Sequence, residues 1–209
     1  MSDKSVVSRA KLHILDRWFR YVTVPSYLAK IRPSDVVIDC GANVGKFAEL
    51  FAARGAMVYA FEPHPIAFSA LHRRIGGLEN VRCINKAVSD RAGRMKLYLR
   101  PNDNSIAATE SSSLMAEKIN VSTSHFVEVD VVRLVDFIRE VGRIRFLKMD
   151  IEGAEYDVLP DMLNANAHRE VDYIVVETHE RSPDLLPSHV ALVERIRKER
   201  VENIDLNWH

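Results

Sequence analysis

Residues 36–50 read V-V-I-D-C-G-A-N-V-G-K-F-A-E-L, a β-branched apolar run that ends near Asp39, passes Gly41 and Gly45, and continues with helical spacing. A strand that turns into a helix across glycines presents the first helical amides at the strand's carboxyl end, where ligands bind in open parallel sheets. Glycine at 41 and 45 permits the sharp turn, and a Cβ at either position is expected to block close approach of a cofactor. The spacing narrows the choice. A dinucleotide fingerprint is G-x-G-x-x-G, whereas this turn is G-A-N-V-G, which disfavours NAD. A Walker loop requires Gly-Lys-Ser/Thr, and here Lys46 is followed by Phe47.

Outward from this turn, β-branched runs alternate with helical patterns. Val36–Asp39, Met57–Phe61, Val81–Ile84, Phe146–Met149 and Tyr173–Glu177 read as strands of a parallel sheet. Lys46–Arg54, Ile66–Arg74, Leu134–Val141 and Ala154–Leu163 read as crossover helices, so the fold class is α/β: a doubly wound, mostly parallel sheet with helices on both faces. Met95–Leu99 and Phe126–Val132 alternate like an inserted β-hairpin. The long serine-rich stretch between them reads equally as a loop covering substrate or as a passive insertion. A final charged helix spans Ser188–Arg200, and the remaining V-E-N-I-D-L-N-W-H suffices for one strand.

The N-terminal 33 residues are expected to form a helical extension on a domain spanning 34–209. Leu12, Leu15, Trp18, Phe19 and Val22 recur at helical spacing ahead of Pro25. Packing against the chain's own core is the plain reading of that face, with a substrate lid or a homodimer contact as alternatives.

The 209 residues carry 29 basic and 29 acidic side chains, so no broad electrostatic attraction toward nucleic acid or anionic lipid exists. Charges throughout residues 3–17 interrupt any signal peptide or bilayer span. The two cysteines, Cys40 and Cys83, lie in apolar runs expected to be buried strands, which suits a soluble protein of the reducing cytoplasm.

A second cofactor signal follows the second strand. In A-F-E-P-H-P, Glu62 stands about 20 residues beyond the glycine turn, the separation at which a carboxylate reaches ribose hydroxyls in this class of fold. The third strand runs into N-K-A-V-S-D, where Asn85, Ala87 and Val88 are suited to an adenine slot.

D-C-G-A-N-V-G, A-F-E-P-H-P, N-K-A-V-S-D and, at residues 147–155, L-K-M-D-I-E-G-A-E together resemble the S-adenosylmethionine-dependent methyltransferases of the FkbM type. The resemblance covers roughly Ser34 to Glu180. It implies a class I methyltransferase fold, S-adenosyl-L-methionine as cofactor, and methyl transfer to a hydroxyl of a small-molecule, sugar or natural-product acceptor. By position it assigns Asp39, Gly41, Asn43 and Gly45 to the methionine part, Glu62 with Pro63 to the ribose, and Asn85 to Val88 to the base. Asp150 and Glu152 fall beside the transferable methyl. The usual closing antiparallel pair of the class is short here, so either that strand is absent or the inserted hairpin substitutes for it.

Methyl transfer from a sulfonium is an in-line displacement, accelerated largely by positioning. An alcohol must also lose its proton, which calls for a base or a metal near the acceptor. Asp150 is the first candidate and His179 the second, with Lys148 beside them and Glu152 and Glu177 facing the acceptor. Lys148 and Asp150 equally suit a structural pair across the strand end, and His125 in the long loop reads as an exposed residue. Asp150, Glu152, Glu177 and His179 would also offer magnesium or manganese an oxygen-rich site if their strands were neighbours. Carboxylates gather at such strand ends for cofactor contacts as well, so a divalent metal is not favoured. An NAD-linked oxidoreductase and a non-catalytic interaction module of the same fold are the rival readings.

Overall fold

A computed structural model describes residues 22–99, 126–179 and 182–208. Leu12, Leu15, Trp18 and Phe19, the whole serine-rich stretch with His125, and Glu180 lie outside the described residues.

Strands β1 (Val36–Cys40), β2 (Met57–Phe61), β3 (Val81–Ile84), β7 (Ile144–Met149), β8 (Val171–Val176) and β9 (Ile204–Asp205) form one sheet in the order β3-β2-β1-β7-β8-β9. All its pairings are parallel. Near-continuous apolar runs such as V-V-I in β1 suit strands covered on both faces. Helices α1 (Val24–Leu28), α2 (Lys46–Ala53), α3 (Pro65–Ile75), α4 (Leu134–Val141), α5 (Glu155–Asn164) and α6 (Leu186–Glu199) supply that cover. One core joins Ile38, Leu147, Ile174 and the inner faces of α4 and α5. The other joins Val37, Phe146 and Val175 to Phe51, Leu71 and Trp208. Strand order reverses between β1 and β7, so the ends of these two strands open the crevice in which ligands bind.

Helix α1 carries Pro25 in its first turn, where the missing N–H leaves no bond unmade. The hairpin does not substitute for a closing strand. Gly93–Tyr98 (β5) and Phe126–Arg133 (β6) pair antiparallel, and Ala87–Ser89 (β4) joins β6 in parallel to complete a separate three-stranded sheet. The main sheet ends instead in the two-residue β9, parallel to β8, after which Trp208 turns back into the core against Phe47, Phe146 and Tyr27. Both cysteines are free thiols; Cys40 is buried, while Cys83 is only half-buried. Among the described residues, no helix is long and apolar enough to cross a membrane.

Candidate active site

A cavity of about 390 Å³ lies over the ends of β1, β2 and β7, lined by the Gly41–Val44 turn, Lys46, Phe47, Glu62, Pro63, Ala87, Val88 and Leu97. Lys148, Asp150, Ile151, Glu152 and Glu177 line the same cavity. The cofactor signals and the acidic block, far apart in sequence, therefore face one space.

The turn after β1 is held by hydrogen bonds that the Gly41 and Ala42 amides donate to the Phe61 carbonyl, at 3.0 and 2.8 Å. Gly41 and Gly45 both have positive φ, +76° and +84°. The reason for the glycines differs from the expected one. A Cβ on Gly41 would lie 1.8 Å from the Asp150 carbonyl oxygen, and a Cβ on Gly45 would lie 2.7 Å from Leu71 Cδ1 of α3. The protein's own backbone and helix packing demand both glycines, and Gly45 is not part of the cavity wall.

Glu62 is buried at the end of β2 and lines the cavity. One oxygen accepts the Asn43 amide and the other the His64 amide, both at 2.8 Å. A carboxylate accepts about four hydrogen bonds, so capacity remains for two ligand hydroxyls. Burial pushes its carboxyl up to about 7, against the opposing pull of those two amides. Asn43 takes part through its backbone at φ +47°, a conformation asparagine tolerates better than most residues.

Two residues expected to touch cofactor do not line the cavity. Asp39 is fully buried beneath the turn and does not line the cavity, because its carboxylate is engaged by Lys148 Nζ at 3.2 Å. Asn85 donates to the Glu62 and Pro63 carbonyls at 2.8 and 3.2 Å and so braces the turn after β2. Ala87 and Val88 do line the cavity, carried there by β4.

Lys148 is buried with three acceptors around its ammonium: the Gly41 carbonyl at 3.1 Å, Asp39 at 3.2 Å and Asp150 at 3.4 Å. The carbonyl contact is a hydrogen bond and the two carboxylate contacts are ion pairs. Burial disfavours its charge, yet the neighbouring Asp39 and Asp150 carboxylates outweigh that and hold its pKa above the ordinary lysine value. Asp39 is pushed above the usual carboxylate range by burial, with Lys148 drawing it back. Lys148 thus ties β1 to β7 through Asp39, the Gly41 carbonyl and Asp150.

Asp150, Glu152 and His179 each place a ligand atom within 4.8 Å of the others. His179 Nε2 stands 3.2 Å from Glu152, although His179 itself is not part of the cavity wall. Glu177, at the end of β8, lines the cavity, and burial together with the charge of Asp150 pushes it up to about 7. Glu155 went unrecognised in the sequence. Fully buried at the start of α5, it accepts the Ile151 and Gly153 amides at 2.7 Å each and so fixes the loop bearing Asp150 and Glu152. Its signal was a carboxylate in a helix's first turn just after a glycine. Lys46, Phe47 and Leu97 were also missed as wall residues.

Residues 39–200 match the model of the methyltransferase FkbM domain. The chain is 34% identical over 183 residues to the 31-O-demethyl-FK506 methyltransferase FkbM of Streptomyces tacrolimicus, covering 72% of this chain and 68% of that protein. It is 30% identical over 197 residues to the methyltransferase sdnD of Sordaria araneosa, covering 80% and 74% respectively. It is also 31% identical over 139 residues to the 2-O-methyltransferase NoeI of Sinorhizobium fredii, covering 61% and 57%. The matched region runs from the buried Asp39 through the glycine turn, Glu62 and the acidic block to the end of α6, and with this extent of identity it shows that the chain belongs to the FkbM methyltransferase family.

Proposed function

We propose that the protein transfers the methyl group of S-adenosylmethionine to a hydroxyl of a small-molecule or sugar acceptor. The observation that carries this reading is the shared cavity, lined both by Glu62 and the glycine turn and by Asp150, Glu152 and Glu177. When bound, the cofactor would be held by Glu62 at its ribose hydroxyls, by Ala87 and Val88 at its adenine, and by the Gly41–Val44 turn with Lys46 at its amino-acid end. The family relatives named as a 31-O-demethyl-FK506 methyltransferase and a 2-O-methyltransferase support oxygen as the methyl acceptor.

In the reaction, an acceptor oxygen lone pair forms the new C–O bond as the methyl C–S bond breaks. The sulfonium becomes a neutral thioether, and the hydroxyl proton is lost to the acidic wall. Asp150 is the residue placed to hold that hydroxyl in line, since it lines the cavity and is itself anchored by Lys148. His179 stands behind Glu152, away from the cavity wall, and so contributes through the acidic block.

The test is a panel of sugars and hydroxylated natural-product-like alcohols incubated with S-adenosylmethionine and read by mass spectrometry. The reading expects at least one acceptor to gain a single methyl group on oxygen, with stoichiometric S-adenosylhomocysteine. Methylation only of amines or carbon centres would contradict it.

A further inference from the structure

Asp39, Asp150, Glu152, Glu155 and Glu177 gather at the ends of β1, β7 and β8, and Lys148 pairs with Asp39 and Asp150. Glu152 and Glu177 line the cavity. Within this block, Asp150 and Glu152 come from the loop after β7 and His179 from the end of the neighbouring β8.

We infer that Asp150, Glu152 and His179 bind a divalent cation of the manganese or magnesium class at the acceptor end of the cavity. Their ligand atoms lie within 4.8 Å of one another. At metal–oxygen distances of about 2.1 Å, opposed donors stand about 4.2 Å apart, so the three fit around one ion with little movement. Two carboxylates with one imidazole suit manganese, and three protein ligands leave coordination positions open toward the cavity.

A second observation comes from outside the three ligands. Glu155, fully buried and held by two backbone amides, places Oε1 3.7 Å from His179 Nδ1, on the far side of the ring from Glu152. A metal-bound histidine almost always donates its other ring N–H to such a carboxylate, which fixes the tautomer and leaves the opposite nitrogen as ligand. About 1 Å of ring movement brings this pair to hydrogen-bond distance. Glu155 is thus a positioning residue: it shapes the loop carrying two ligands and orients the third.

This inference rests on the methyltransferase reading for its role. A cation there takes the acceptor hydroxyl as a further ligand, lowers its pKa, and gives preference to acceptors with a second oxygen close enough to chelate. The binding itself is measured without acceptor or turnover. Manganese chloride is titrated into the purified full chain, and free Mn²⁺ is followed by its electron paramagnetic resonance signal, with S-adenosylhomocysteine binding measured by calorimetry on the same samples. One equivalent of Mn²⁺ should disappear from the free signal. Glu152→Gln with His179→Gln should lose that binding by at least tenfold while circular dichroism and S-adenosylhomocysteine affinity stay unchanged, and Glu155→Gln should weaken it less. A chain that binds S-adenosylhomocysteine but no Mn²⁺ up to millimolar concentration overturns the cation and leaves the methyltransferase reading standing. Unchanged Mn²⁺ affinity in the double variant overturns the assignment of ligands. Loss of S-adenosylhomocysteine binding by the wild-type chain would instead defeat the methyltransferase reading.

Discussion

Gly41 and Asp150 meet backbone to backbone at the point where the strand order reverses, so that a Cβ on Gly41 would lie 1.8 Å from the Asp150 carbonyl oxygen. The Asp150 amide also donates to the Cys40 carbonyl at 3.0 Å. The glycine turn and the acidic loop are thereby braced against each other.

Gly41→Ala should therefore destabilise the chain by more than about 3 kcal/mol, from overpacking against backbone and from a positive φ. Gly77→Ala, with nothing within 4 Å of the new Cβ and no positive φ, should change stability by less than about 0.5 kcal/mol. Urea denaturation of the two variants checks the contrast.

Lys148→Met removes the cation but leaves Asp39 buried beneath the turn. Stranding one partner of a buried pair costs about 3–5 kcal/mol, and Asp39→Asn added to Lys148→Met should restore part of the loss. The expected outcome is a double variant more stable than Lys148→Met alone. Equal or strictly additive losses would show that the pair is not coupled.

Glu62 gives a pH dependence with a defined sign. Ligand hydroxyls bind its ionised form, and burial raises its pKa to about 7 in the cofactor-free protein. Affinity for S-adenosylhomocysteine should rise from pH 5.5 to about 7 and level off above it. The fold itself responds in the opposite direction. A carboxyl with a raised folded pKa binds more protons folded than unfolded, so its contribution to stability falls between the ordinary glutamate value and about pH 7. Glu62→Gln should flatten both profiles and weaken S-adenosylhomocysteine binding by about 10-fold or more.

Asp150→Asn should lower kcat by about 100-fold or more while leaving S-adenosylhomocysteine affinity within a factor of about two. Steady-state kinetics with an acceptor found by the mass-gain screen, paired with calorimetry, separates the two quantities. A loss confined to cofactor affinity would move Asp150 out of the acceptor end.

How much of this was legible in sequence depended on whether a residue's role was local. The β-branched runs and helical periods are local, and strands β1, β2, β3, β7 and β8 and the crossover helices stand where the periods put them. Glu62 was legible because its distance from the glycine turn is set by one βαβ unit. Asp39 and Asn85 have the right residue types at the right strand ends, but their side chains turn inward to Lys148 and to the Glu62–Pro63 carbonyls, contacts that spacing does not encode. Gly45 was read as making room for a ligand, whereas the room is taken by Leu71 of the next helix. Strand β4 is too short to show alternation, and its partner β6 lies about forty residues on in sequence. Glu155 stayed hidden because a buried carboxylate in a helix's first turn looks like an ordinary solvated one until its two amide donors are in place.

Calorimetric titration of the purified chain with S-adenosylhomocysteine at pH 8, beside a parallel titration with NAD, tests the central claim most directly. Saturable one-site binding of S-adenosylhomocysteine, weakened in Glu62→Gln, with no heat from NAD is the expected result. Binding of NAD with none of S-adenosylhomocysteine, or a Glu62→Gln chain that binds S-adenosylhomocysteine as tightly as the wild type, would contradict it.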